Sequence, residues 1–503
     1  MKLRIASRKS DLARWQSVQV ARQLKNSALQ ADCEFIFKSS LGDLNLDVPL
    51  ASMGGRGVFT EDFQADLLNG ACDLVVHSWK DLPVEERPQT KIAMTLKRAD
   101  VRDLLLVPEA VWRKAIQTGR LEILTSSPRR IYNLKKSLGA LLPHSLEIVF
   151  QEVRGNVPTR LTKMRDQGRA LILAKAGLDR LLEAEKEAFL EVDYSLKAIV
   201  AECRFMVLPL RINPPAAAQG ALAVEVLRSQ RDLIDGMVAL SDVATESSAR
   251  REREILKRYG GGCHQKIGVV VLERPYGKIL SVQGLTDQGE VLNTWQLESS
   301  SPWTKARGAQ NIFPRAPQDN SWFEREPRKA KGDLADFEAF LVARSDSWPV
   351  GFIPRPGQIV WTAGLKTWEK LAAQGVWVHG SCEGLGEDED PLLYPLVDNT
   401  NLQWAKFSHT AATVKPHQVL EATYHLTPKA KEASPNLEGV THFYWMSATS
   451  FQRARELYPE VIAAGLHSCG PGSTLIALSQ PGVLRQPPKV FIDFDGFLRA
   501  TLP

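Results

Sequence analysis

In the segment VVHSWKDLP (75–83), Lys80 and Asp81 directly follow an apolar run. Open α/β sheets gather ligand-binding groups at the carboxyl ends of their strands, so Asp81 is a candidate acid or a stabiliser of developing positive charge. An aspartate before Leu-Pro is equally an ordinary turn-capping residue. Arginines recur at comparable places: Arg8 in SRKS, Arg129 and Arg130 in TSSPRR, Arg154 and Arg160 in VRGNVPTR, and Arg180 in AGLDRL. Each follows an expected strand or opens an expected helix. Guanidinium groups grip carboxylates through two nitrogens, and helix N-termini add backbone N–H donors, a combination suited to a small polyanion held between two α/β lobes. Any one of these arginines alone reads as a surface ion-pair partner; the recurrence at strand-to-helix junctions is what points to a site. In YGGGCHQKIG (259–268) a glycine run isolates Cys263 on what reads as an exposed loop. A lone cysteine is more commonly a buried, inert one. His264 beside it either lowers the thiol pKa or is merely solvated.

These residues need a scaffold, and the hydrophobic pattern supplies one. KLRIA (2–6), CEFIFKS (33–39) and DLVVHS (73–78) read as strands alternating with helices, the first of which Ser10 or Asp11 would cap; a loop with Gly and Pro spans 41–59. The rhythm repeats with EILTSS (122–127) and a helix over 129–139, LEIVFQEV (146–153), and RALILAK (169–175). Alternation of this kind predicts α/β sheets with helices on their faces. SSARREREILKRYGGG (247–262) reads as a helix whose interleaved charges are solvated pairs, and three following strands suggest a small antiparallel sheet. Residues 301–345 mix Pro, Gly and charge without periodicity and read as a linker, beyond which the βαβ rhythm resumes.

The chain has 503 residues, which at about 100–200 residues per domain calls for three or four units. Its 44% hydrophobic and 24% charged residues exclude a disordered or collagen-like chain. Sixty-three basic against 58 acidic side chains leave +5, too little to imply nucleic-acid binding. The six cysteines are scattered, with no CxxC pair or closely spaced Cys/His set; a reducing, cytoplasmic setting and no resident metal are expected. No apolar stretch has the ~18 residues of a membrane span, and no secretory leader is evident.

Taken together and in order, HSWKDLP, TSSPRR, VRGNVPTRL, AKAGLDRL, AAQGALAVE and GGGCHQKIG resemble the porphobilinogen deaminase (hydroxymethylbilane synthase) family over roughly residues 1–295. The resemblance implies two periplasmic-binding-protein-like α/β domains, 1–97 with 198–227 and 98–197. It further implies a small α/β domain over 245–300 that carries a dipyrromethane cofactor on Cys263, then the linker 301–345 and an extra α/β domain over 346–503. The implied reaction condenses four porphobilinogens head to tail into hydroxymethylbilane, releasing ammonia, in tetrapyrrole biosynthesis. Asp81 matches the family's catalytic aspartate. Lys80, Ser126, Arg129 and Arg130 match cofactor contacts. Arg8, Ser10, Phe59, Ser127, Arg154, Arg160 and Arg180 match substrate contacts. The pattern departs at Leu41-Gly42-Asp43, Ala218-Gln219-Gly220 and Cys263-His264-Gln265, which bears on the loop and the cofactor surroundings. In the C-terminal part, LEATYHLTPKA (420–430), YWMSATSFQRA (444–454) and CGPGSTLIAL (469–478) look like one half of uroporphyrinogen-III synthase, with Tyr424, Ser447, Ser450 and Ser473 as its contacts. A monomer is expected, with product handed to such a synthase. The alternatives are a bifunctional fusion that also closes the ring, and a non-enzymatic anion-binding protein of the same two-lobed fold.

Overall fold

The computed structural model describes residues 1–39, 60–187, 189–192, 194–261, 265–298, 302–387 and 389–503. The loop expected over 41–59, with Phe59, lies outside the described residues, as do Cys263 and His264. The molecule is mixed α/β, as expected. Along the chain, β1 (Lys2–Arg8), β2 (Asp32–Lys38), β3 (Leu74–Ser78) and β4 (Thr90–Met94) lead into β5 (Asp103–Pro108), β6 (Arg120–Leu124), β7 (Glu147–Gln151), β8 (Ala170–Ala174) and β9 (Cys203–Val207). The chain then returns to β10 (Leu222–Leu227). Two sheets result, ordered β2-β1-β3-β10-β4 and β7-β6-β8-β5-β9. Their central strands are near-continuous apolar runs: four of the five residues of β3 are buried, and five of the six in β5. Such strands need cover on both faces, which the flanking helices supply.

The chain crosses between these sheets twice, over 95–102 and 208–221. Each crossing delivers a strand antiparallel to its neighbours: β5 opposes β8, with Asp103 across from Ala174, and β10 opposes β3, with Leu222 across from Ser78. The starts of β5 and β10 therefore lie beside the carboxyl ends of β8 and β3. That juxtaposition brings both crossings to the interdomain cleft.

The third unit is a helix (Val243–Arg258) on an antiparallel meander of β11 (Lys266–Arg274), β12 (Gly277–Leu285) and β13 (Val291–Glu298). Asp242 caps the helix by accepting from Thr245 N. Its charges are only partly the solvated pairs expected: Arg250 and Glu246 pair one turn apart, but Glu252 is 0% exposed. Glu252 accepts from both terminal nitrogens of Arg98 (2.7 and 2.8 Å), from Ala218 N (2.7 Å) and from Val271 N (2.9 Å). One buried carboxylate thus fastens both crossings to the third unit's sheet.

The stretch expected as a linker is not one. It contributes β14 (Ile312–Phe313), β15 (Phe323–Pro327) and β16 (Ala339–Val342), which join β17 (Ile359–Thr362), β18 (Gly380–Ser381), β19 (Trp404–His409), β20 (Gln418–Pro428), β21 (His442–Trp445), β22 (Leu466–Cys469) and β23 (Lys489–Val490). Phe313, Trp322 and all four residues of β16 are buried. Strands this short, flanked by Pro and charge, carry too few residues to display a period of two. The single domain expected over 346–503 is likewise replaced by two lobes, with sheets β15-β20-β19-β16-β17-β18 and β14-β21-β22-β23. The chain starts in the smaller lobe, builds the larger, and returns.

The larger lobe is docked edgewise on the second domain. Val207 N, on the edge strand β9, donates to His379 O (2.8 Å), Trp377 Nε1 to Phe205 O (2.9 Å), and Trp368 Nε1 to Leu141 O (3.0 Å). Apolar packing runs through the junction on both sides: Leu105, Leu138, Phe340 and Trp368 share one cluster, Leu104, Leu106, Leu341 and Trp361 the other. Covering β9 removes an exposed sheet edge. Among the described residues no helix is long and apolar enough to cross a membrane.

Candidate active site

Lys80 and Asp81 fall in a short 3-10 turn (Trp79–Asp81) directly after β3. The turn is anchored by Trp79, which is buried and donates its N–H to Ala221 O (3.0 Å) on the second crossing. Lys80 Nζ donates to Gln219 Oε1 (3.2 Å), and Gln219 Nε2 donates in turn to Asp103 Oδ1 (3.0 Å) and Val101 O (2.8 Å). Burial pushes the Lys80 ammonium pKa down, the neighbouring Asp81 opposes this, and Arg130 adds to it. Lys80 and Asp81 each keep partial surface exposure.

Asp103, 0% exposed, is the hub on the second domain. It accepts from Arg129 NH2 (2.8 Å), Arg130 Nε (3.0 Å) and NH2 (2.7 Å), and Asn213 Nδ2 (2.9 Å). Burial alone would raise its pKa; Arg129 and Arg130 hold it well below the carboxylate range instead. Both arginines are therefore buried and largely committed to protein: Arg129 also donates to Pro214 O (2.7 Å), and Arg130 to Ile172 O (3.1 Å). Their charge reaches the cleft more than their hydrogens do.

Arg160 differs. Its Nε donates to Gly155 O (2.8 Å), and it has no ion-pair partner among the described residues. Burial lowers its pKa to about 10, the charges of Arg130 and Arg154 press it further down, and Asp81 works against them. Asp81, Arg130, Arg154 and Arg160 thus share one space, although they come from two sheets. Arg180 is buried in the helix Lys175–Lys186, with its pKa lowered to about 10 by burial, and gives NH2 to Gly220 O (2.8 Å). It ties the second domain to the second crossing. Gly220 cannot be replaced there: its φ is +86°, and a Cβ would fall 2.7 Å from Ala99 O.

Two of the three candidate serines make structural bonds. Ser126 Oγ bridges Val153 O and Val153 N, the latter at 3.0 Å, fixing the loop before Arg154. Ser127 caps the helix Pro128–Leu141, its Oγ accepting from Arg130 N (3.4 Å). Ser10 precedes the helix Asp11–Lys25 without a side-chain cap bond, and Arg8 closes β1. Before Cys263, Gly261 at φ +59° packs so tightly on Val84 that a Cβ would collide with its Cγ2. Val84 lies three residues beyond Asp81, so Gly261 packs beside the turn that carries Asp81. A cavity of about 360 Å³ opens behind that turn, lined by Trp79, Leu82, Val84, Arg250 and Arg253, and does not include Asp81. No metal-binding cluster occurs among the described residues.

Motif reading missed Asp103, Gln219, Asn213 and Glu252. The available signal was an acidic residue opening the otherwise apolar run DLLLVP. The C-terminal candidates divide between the two lobes. Tyr424 lies buried on β20 of the larger lobe, whereas Ser447, Ser450 and Ser473 belong to the smaller one. There Ser447 caps the helix Ala448–Leu457 and bonds Ser450 Oγ (2.8 Å).

Residues 3–235 match the family model described as "Porphobilinogen deaminase, dipyromethane cofactor binding domain". The porphobilinogen deaminase of Acidothermus cellulolyticus is 37% identical over 276 residues, 53% of this chain and 74% of that protein. That of Moorella thermoacetica is 34% identical over 286 residues, 57% of this chain and 83% of the relative. Among solved structures, the substrate binding protein of an amino acid ABC transporter aligns over 52% of this chain and 95% of that one, at 10% identity and a TM-score of 0.24, too low to argue from.

Proposed function

The chain belongs to the porphobilinogen deaminase family, and from that membership we propose how its residues divide the work. The enzyme is a hydroxymethylbilane synthase, a transferase that joins porphobilinogen units head to tail and releases ammonia. Each substrate carries two carboxylates, so a growing chain needs cations. Arg8, Arg154, Arg160 and Arg180 are assigned to that task. Arg129, Arg130 and Lys80 are assigned to the cofactor end, where Asp103 holds the two arginines fixed.

Asp81 is the reacting group. The aminomethyl nitrogen of porphobilinogen takes a proton and leaves as ammonia, and the remaining methylene-pyrrole carries positive charge spread onto its ring nitrogen. A carboxylate in a partly buried cleft stabilises that charge and accepts the pyrrole N–H. The free α-carbon of the terminal acceptor pyrrole then bonds the methylene carbon and sheds its proton.

The donor set fits a dipyrromethane: Arg160 has no carboxylate partner among the described residues, Lys80 stands beside Asp81, and Gly261, two positions before Cys263 in the sequence, packs on Val84. Cys263 is assigned as its covalent anchor through a thioether. When bound, the group supplies the acceptor pyrrole from which the chain is built. What carries this reading is the convergence of Asp81, Arg130, Arg154 and Arg160 on one space between two sheets. Intact-mass measurement tests it: the purified protein should exceed its sequence mass by one dipyrromethane, and Cys263→Ala should lose that mass together with turnover. A fully active, unmodified wild-type chain overturns the assignment.

For residues 302–503, we infer a synthase-like fold without synthase activity. Leu385 and Ile492, one from each lobe, are buried together against Val270 and Trp295 of the third unit. Gly386 and Gly472 meet across the lobes, where a Cβ on Gly386 would fall 3.2 Å from Gly472 Cα. Porphobilinogen supplied to the protein alone should yield only the type I uroporphyrinogen of spontaneous closure; isomer III would mean a working second site.

A further inference from the structure

Both crossings between the first and second domains are gripped by the C-terminal lobes. Glu383 accepts two backbone N–H groups in succession, from Leu210 (2.8 Å) and Arg211 (2.9 Å), one carboxylate oxygen each. The Arg211 side chain reaches the smaller lobe, with NH2 3.0 Å from Asp493. On the first crossing, Arg102 donates NH2 to Pro391 O (2.8 Å), and its guanidinium lies 5.6 Å from the Trp361 ring. From the other side, Ser281 Oγ of the third unit donates to Leu210 O (2.8 Å). The peptide groups around Leu210 are thus held at N–H by one unit and at C=O by another.

The chemistry makes this grip consequential. Each round adds a ring at the same Asp81, so the product must shift past a fixed reacting group while it stays in one cleft. The relative orientation of the two cleft domains is therefore part of the reaction, and it can change only through torsions in 95–102 and 208–221. Hydrogen bonds to a charged acceptor contribute about 1.5–3 kcal/mol each, so turning the 210–211 amides away from Glu383 is costly.

We propose that Glu383, supplied by the C-terminal lobes, is a positioning residue of the deaminase, clamping the second interdomain crossing and so setting the orientation in which the cleft domains work. Its kinetic consequence rests on the deaminase reading; its mechanical consequence does not. The test uses the cofactor-loaded full chain with Glu383→Gln, which retains one acceptor oxygen. Asp398→Asn is the control, because it loosens the same docking at Lys186 and Lys197, away from both crossings. Hydrogen exchange in a peptide spanning 208–212 should quicken by about tenfold in Glu383→Gln, the size expected from losing one charge-assisted bond. It should not change in Asp398→Asn. Turnover of porphobilinogen should fall in kcat with KM held, again only in Glu383→Gln. Unchanged exchange over 208–212, or identical behaviour of the two variants, overturns the clamp. Faster exchange with unaltered kcat overturns its role in the reaction while leaving the deaminase assignment intact. Should Glu383→Gln fail to accumulate, Asp493→Asn, which frees the Arg211 side chain, carries the test with the same expected direction, and unaltered exchange there is equally fatal.

Discussion

Asp103 and Arg130 meet as a two-point pair, Nε on one carboxylate oxygen at 3.0 Å and NH2 on the other at 2.7 Å, while Arg129 takes the same carboxylate from the side. Two buried guanidiniums therefore lean on one anion. Asp103→Asn keeps the shape and removes the charge, leaving both arginines buried without compensation. Breaking such a pair typically costs about 3–5 kcal/mol, so the urea midpoint should drop steeply. A loss below about 1 kcal/mol would mean that the arginines relax toward solvent and that Asp103 is not their anchor.

Acid should weaken the junction between the second domain and the larger lobe. Burial, reinforced by Arg204, depresses His379 from 6.5 to about 3, so the folded state keeps it neutral while the unfolded chain protonates near 6.5. A depressed histidine binds fewer protons folded than unfolded. Its stability contribution is whole above about 6.5 and is lost as pH falls toward 3. Between pH 7.5 and 5.5 this group alone should remove about 1.4 kcal/mol. Asp179 works oppositely, since burial raises its carboxyl from 3.8 to about 6 and protonation over that window favours the fold. The difference between wild type and His379→Gln isolates the first effect: denaturation midpoints at the two pH values should lie closer together in the variant. An equal spacing would contradict the assigned neutral state.

Deletion of the C-terminal lobes should not release a free-standing deaminase. A chain ended at residue 335 keeps β14 and β15 but loses their partners β21 and β20, and it uncovers β9 along with both apolar clusters of the junction. An open edge beside exposed apolar surface is a template for aggregation. The expected result is a large fall in soluble yield, with multimers in light scattering. A monodisperse, fully active fragment would contradict the packing described.

The departure at Ala218 should be measurable as strain. Ala218 sits at φ +62°, a left-handed conformation costing a residue with a Cβ roughly 1–2 kcal/mol, while glycine pays about 0.5–1 kcal/mol in chain entropy. Ala218→Gly should therefore raise stability by about 0.5–1 kcal/mol in denaturant titration, the difference between those two costs. The Ala218 N–H bond to Glu252 remains possible in the variant, so a loss of stability would locate the strain elsewhere.

The strand-to-helix junctions that carry Lys80, Asp81, Arg129, Arg130, Arg154 and Arg160 were legible because each motif follows an apolar run long enough to identify as a strand. What joins them was not. Asp103 meets Arg130 across 27 positions and Gln219 across 116, and no local pattern encodes pairs that distant. Nor did periodicity separate the anchored arginines from the others: Arg130 and Arg160 open helices alike, yet one is locked on a carboxylate and the other has no such partner among the described residues. The two C-terminal lobes were hidden by short strands. FEREP, the edge strand β15, is almost wholly exposed, so its side chains carry no in-out alternation.

The covering of β9 by residues near 377–381 has a consequence for synthesis. Every strand of the second sheet has been made once residue 207 emerges, but the segment that shields its edge follows some 170 residues later. At roughly 5–20 residues per second, the nascent chain displays that unpaired edge for about 10–30 s. The deaminase half is thus a sticky intermediate during its own translation, and its yield in a cell should depend on how fast ribosomes finish the lobes or on chaperones that occupy the edge until they do.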